Sequence, residues 1–245
     1  MIKIKNISKS FKTSAGIITA LDNVTIDIPD GSVSVLAGEN GSGKSVLMNI
    51  LAGLETFDSG EIFFDEKPII KAGKPVGLVF QEAETQILGE TVREDIAFGP
   101  KNLGLRRENI TIAVENALEK TGLTKKADFP ARFLSGGEKR RLAVACMISM
   151  NKNIIILDEP YANLDYTGVR QVNLLIKELK KQGKTLIITT HEIEKCLGLA
   201  EKLIVLFRGK IVFEGTPQEG LTKNLEEWNI RNPLVKYSSV EDLVW

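Results

Sequence analysis

Apolar and polar positions alternate through residues 2–28, which predicts antiparallel strands with one buried face, and Phe63 and Phe64 continue that layer. Shorter runs at 32–37, 76–80, 154–157 and 185–190 are rich in apolar residues and predict strands of an α/β sheet. Residues 46–52, 108–122 and 135–150 instead carry apolar residues at helical spacing, and Gly53 is placed to end the first of these helices. Near the C-terminus, 203–207 and 211–213 flank Arg208, Gly209 and Lys210 as strand, turn and strand. Leu225, Glu226, Glu227 and Trp228 read as a helical turn, with Trp228 and Trp245 packing on the domain or on a second subunit. The whole predicts one α/β domain over 1–245. It has a mainly parallel sheet core, an antiparallel β subdomain, a mostly helical insertion at about 82–151 and a tail at about 216–245.

Chemistry sits where the strands end. The run 32–37 leads into Gly38, Glu39, Asn40, Gly41, Ser42, Gly43, Lys44 and Ser45, a Gly-x-x-x-x-Gly-Lys-Ser loop that runs into a helix. Glycines let such a backbone turn tightly, so that successive N–H groups converge on phosphate oxygens, and the helix N-terminus adds partial positive charge. The spacing predicts a nucleotide phosphate cradle in which Lys44 reaches the β and γ phosphates and the Ser45 hydroxyl holds Mg²⁺. The run 76–80 ends at Gln81, 154–157 at Asp158 and Glu159, and 185–190 at His191. In open α/β sheets, ligands collect beyond the carboxyl ends of strands. Asp158 suits the water shell of Mg²⁺, and Gln81 can sense both metal and water. Glu159 is placed to accept a proton from water attacking the γ-phosphate, or to orient it, and His191 to bond that phosphate or hold Glu159. Taken singly these residues have plainer readings, as a loop amide, a helix cap and a core histidine; taken with Lys44 they form a consistent set.

Bulk charge narrows the partners. Lys plus Arg equals Asp plus Glu at 32 each, so nothing points to nucleic acid. The apolar runs are too short to cross a bilayer and the first residues lack a signal-peptide apolar region, so a cytoplasmic chain that docks on a membrane protein is expected. Cys146 and Cys196 fall in segments of helical spacing, where a cysteine reads as a small core residue without a redox or metal role.

A second candidate anion site begins at Leu134, Ser135, Gly136, Gly137 and Glu138, ahead of a helix with a basic first face. Ser135 and Glu138 have capping-box spacing, and the two glycines open the backbone where the helix end is most positive. With these motifs in this order the chain resembles the ATP-binding-cassette (ABC) ATPases, a P-loop NTPase family, across nearly its whole length. The resemblance assigns 38–45, followed by Val46, to the Walker A loop, Gln81 to the Q-loop and 134–138 to the signature. It assigns 154–159 to Walker B, Ala162, Asn163, Leu164 and Asp165 to the D-loop, and His191 to the switch histidine. It implies two cassettes facing head to tail, as a homodimer or a heterodimer, with the signature residues Ser135, Gly136, Gly137 and Glu138 closing on ATP held by the other cassette. It also places Phe11 where an aromatic stacks on adenine.

The stretch 80–104 narrows the branch. Gln81, Glu84, Gln86, Thr91, Val92, Ala97, Phe98, Gly99 and Pro100 are similar to the ATPases of energy-coupling factor importers, which take up vitamins and transition-metal ions; Ala83 replaces their usual proline. The resemblance implies a peripheral ATPase at the cytoplasmic face of a cell membrane. Its partners would be a transmembrane coupling subunit, whose coupling helix enters a groove near 84–91, and a substrate-binding membrane subunit. A soluble ABC ATPase without transport, and an ATPase of another ABC branch, are the alternatives.

Overall fold

The computed structural model describes residues 1–14, 16–69, 75–235 and 239, so the expected packing of Trp245 lies outside the described residues. Strand β1 (Ile2–Thr13) pairs antiparallel with β2 (Gly16–Ile28), and the alternation turns Ile2, Ile4, Ile7, Leu21, Val24, Ile26 and Ile28 inward. The chain then enters β3 (Val33–Ala37), buried at every position, and turns through 38–43 into helix α1 (Lys44–Leu51). Gly53, left-handed at φ 72°, donates to the Ile50 carbonyl just past the end of that helix. Strands β4 (Ser59–Phe64) and β5 (Lys67–Pro68) complete an antiparallel sheet of order β2-β1-β4-β5.

Strand β6 (Val76–Val79) opens the second sheet, and the chain leaves it for helices α2 (Val92–Asn102), α3 (Arg107–Thr121) and α4 (Gly136–Ser149). Both α2 and α4 begin with reciprocal caps, Thr91 with Glu94 and Ser135 with Glu138. The chain returns as β7 (Ile154–Asp158), α5 (Tyr166–Lys181), β8 (Thr185–Thr190), β9 (Lys202–Phe207), β10 (Lys210–Gly215) and α6 (Pro217–Leu221). Sheet order is β10-β9-β3-β8-β7-β6, with every pairing parallel except β10 with β9.

The apolar strands are explained by cover on both faces. Val33, Val35, Ile155 and Leu157 join the cluster with the helical part and α5, while Leu36, Ile154 and Ile156 face α1 and the antiparallel sheet. One expectation is corrected. Cys196 is a buried core residue but lies in no α-helix; it separates two short 3-10 turns, Ile193–Lys195 and Leu197–Leu199. Apolar spacing in so short a stretch is satisfied by tighter turns. Leu225–Trp228 is likewise a 3-10 turn, with Trp228 stacked 6.4 Å from the Phe213 ring.

Candidate nucleotide site

The loop after β3 is held by its backbone. A Cβ on Gly38 would lie 2.3 Å from the Leu206 carbonyl oxygen, so no side chain fits there. Gly43, at φ 109°, is pressed against the Ala20 carbonyl in the same way. The Gly209 amide donates to the Ser42 carbonyl at 2.9 Å and the Gly209 carbonyl accepts from Asp22 at 2.8 Å, so the β9–β10 turn and β2 brace the loop from one side. From another, the Asn229 amide donates to the Glu39 carboxylate at 2.7 Å. Asn40, Gly41 and Ser45 are exposed, and Val46 packs against the core between the sheets.

Lys44 is 5% exposed and folds back over the loop, its ammonium donating to the Gly38 and Glu39 carbonyls at 2.7 and 3.1 Å. Beside it, the Ser42 hydroxyl is buried without a hydrogen-bond partner among the described residues. Together with the amides of the first turn of α1, which have no partner within the helix, an orphaned hydroxyl and a folded lysine fit an anionic phosphate chain.

Sheet register assembles the carboxylates. β7 lies beside β8 with Asp158 opposite Thr189, and the Thr189 hydroxyl donates to Asp158 Oδ1. The Glu159 amide donates to both the carbonyl and the hydroxyl oxygen of Thr189, each at 3.1 Å. That grip holds Glu159 at φ 45°, a costly conformation for a non-glycine residue. Its buried carboxylate lies 3.5 Å from Lys44 Nζ, and both oxygens lie 3.2 Å from His191 Nδ1. A carboxylate against Nδ1 selects the tautomer with its proton there. Asp158, Ser45 and Gln81 offer only oxygen donors to a metal, the set that suits Mg²⁺. Thr189→Val should raise the Mg²⁺ concentration needed for half-maximal ATP hydrolysis about tenfold while Thr189→Ser stays near the unmodified chain; a metal titration of the rate checks this.

The remaining predicted residues make their contacts elsewhere. Ser135 and Glu138 cap α4 reciprocally, at 3.4 and 3.0 Å, and the Lys126 ammonium at 2.6 Å holds the Glu138 carboxyl below its usual range. A Cβ on Gly136 would meet nothing within 4 Å, and one on Gly137 only Gln171 Oε1 at 3.8 Å. Packing within this chain therefore does not call for glycine at the start of α4, whose amide face is open. Gln81 has an exposed side chain, and its carbonyl accepts from Arg140 at 3.4 Å. Phe11 is half-buried opposite Ile18, with the Lys9 ammonium 4.9 Å over its ring.

Several contacts within the chain were not foreseen from the sequence. Gln86 accepts from the Phe80 amide at 2.9 Å and donates to the Leu78 carbonyl at 3.0 Å, taking the place of a neighbour for edge strand β6. Glu84 pairs with Lys139 at 2.7 Å, joining the same segment to α4. Thr189 looked like one more residue of a buried strand; its partners become visible only when β7 and β8 pair.

The family model described as ABC transporter matches residues 21–162. The chain belongs to the ABC transporter family. Over 226 residues it is 37% identical to the energy-coupling factor transporter ATP-binding protein EcfA of Methanocaldococcus jannaschii, covering 89% of this chain and 81% of that one. The structure of cbiO1 from Clostridium perfringens, described as part of the ABC transporter complex cbiONQ, superposes with a TM-score of 0.82 at 33% identity, covering 95% of each chain. A dimeric ATP-binding cassette in a post-hydrolysis state with ADP and Pi superposes with a TM-score of 0.77 at 28% identity, covering 89% of this chain and 99% of that one. This ABC cassette binds and hydrolyses ATP. Among its described residues no helix is long and apolar enough to cross a membrane.

Proposed function

We propose that this cassette drives an energy-coupling factor importer from the cytoplasmic face of the membrane, working as one of a pair of cassettes on a transmembrane coupling subunit. The observation that carries the hydrolytic part is the buried Glu159 carboxylate between Lys44 and His191, beyond the carboxyl end of β7. The loop 38–45 binds the phosphates through its amides, Ser42 and Lys44, with Phe11 against adenine. Ser45, Asp158 and Gln81 would hold Mg²⁺, which when bound would supply charge neutralisation at the β and γ phosphates. Glu159 accepts the proton of the attacking water at its carboxylate, and His191 keeps that carboxylate aimed.

Two features support pairing and coupling. The open glycines at the start of α4 suit ATP held by a second cassette, which Ser135, Gly136, Gly137 and Glu138 would close over. A cavity of about 430 Å³ lies between the segment after β6 and helices α2 and α4, lined by Phe80, Ile87, Leu88, Phe98, Leu103 and Met150 among others. Leu88 and Phe98 are exposed there, an apolar seat suited to a coupling helix. The helical part over about 82–151 would then pivot as a unit between ATP and membrane partner.

Affinity purification of the tagged chain from detergent-solubilised native membranes, with mass spectrometry of what comes with it, tests the reading. A coupling subunit with a small substrate-binding subunit, with or without a second ATPase, is expected. A conventional permease pair would place the cassette in another ABC branch, and soluble partners alone would replace transport by the non-transport alternative.

A further inference from the structure

Helix α4 carries a buried cation that the mechanism above does not use. Arg140 is 8% exposed, and among the described residues no carboxylate pairs with it. Its neighbours differ: Lys139 pairs with Glu84, and Arg141 reaches Gln171 and Glu138. Arg140 Nη2 donates instead to two backbone carbonyls, Ala162 at 2.8 Å and Gln81 at 3.4 Å, while its Nε is buried without a partner. Burial pushes the guanidinium pKa below its ordinary value.

A buried charge satisfied only by carbonyls is costly, and an apolar side chain of similar length would fill the same space with less desolvation. What the long side chain adds is reach, because its terminal Nη2 alone grips two backbone segments that are far apart in sequence. One grip is on the peptide of Gln81. The other leads to Glu159, because the Ala162 amide donates to the Glu159 carbonyl at 3.2 Å. Asn163, next along, is left-handed at φ 58°, so this turn is held in a conformation that local preference does not favour. Gln81, Gly136, Arg140, Ala162 and Asn163 all line one small cavity of about 200 Å³.

We propose that Arg140 is a positioning residue for ATP hydrolysis, tying α4, the helix capped by Ser135, to Gln81 and, through Ala162, to Glu159. Movement of α4 is thereby transmitted to the residues that orient water and metal, while the phosphate loop is left untouched. The proposal rests on the roles given above to Gln81 and Glu159.

The test uses the purified full chain with Arg140→Met and Arg140→Lys, reading melting temperature, affinity for a fluorescent ATP analogue, and kcat and KM for ATP. Arg140→Met should keep nucleotide affinity within about twofold while kcat falls by on the order of tenfold or more, and Arg140→Lys, which keeps the charge on a shorter side chain, should fall between. A kcat for Arg140→Met within about twofold of the unmodified chain overturns the proposal, and so does a parallel loss of affinity, the mark of a merely structural role. Should Arg140→Met not fold, Arg140→Lys decides: reduced kcat at unchanged affinity supports the tie, and unchanged kcat removes it. Glu159→Gln is measured alongside; full turnover by that variant would strike at the underlying site assignment and not at Arg140 itself.

Discussion

Glu159→Gln should bind ATP yet turn it over more slowly by a factor of roughly 10² to 10⁴, the range that a positioned general base supplies. The substitution keeps the shape of the side chain, and the backbone bonds to Thr189 that hold residue 159 do not depend on the carboxylate. What it removes is the basic oxygen that would take the proton from water, together with the negative charge facing Lys44 at 3.5 Å. Lys44 keeps its bonds to the Gly38 and Glu39 carbonyls, so the phosphate loop should stay formed. Less negative charge beside the γ-phosphate favours the bound state, and a paired, ATP-loaded cassette should accumulate. Single-turnover hydrolysis and light scattering with ATP read both effects. Turnover equal to that of the unmodified chain would show that Glu159 is not the base.

Lys44→Ala should act on binding instead. Lys44 is a buried cation folded over the loop 38–45, and hydrogen bonds to charged groups are worth about 1.5–3 kcal/mol each. Losing one such bond to a phosphate weakens nucleotide affinity by roughly ten- to more than a hundredfold. Equilibrium titration with a fluorescent ATP analogue measures this, and unchanged affinity would remove the cradle assignment from 38–45. The two variants separate the site cleanly, one losing chemistry with binding kept and the other losing binding first.

The architecture was legible because its signals are local. Alternation in β1 and β2, short runs rich in apolar residues in β3, β7 and β8, and the capping pair Ser135 and Glu138 each report a nearby environment that neighbouring residues share. The order of the motifs added the family, and the stretch after β6 is the basis for the proposed branch. Cys196 is in the core as expected, but spacing of apolar residues over one turn does not separate an α-helix from the consecutive 3-10 turns that flank it.

From the sequence alone came the glycine-rich loop 38–45, the carboxylates at the end of β7 and the single histidine after β8, since each is a residue type at a strand end or in a glycine-rich run. Tertiary structure alone decided which of these meet. Strand register set Thr189 against Asp158 and Glu159, the fold of the loop brought Lys44 to Glu159, and the packing of α4 carried Arg140 to Gln81 and Ala162. Those contacts join residues from about twenty to more than a hundred positions apart, so their geometry is fixed by how the strands pair and the helices pack, a property that no short window of sequence contains.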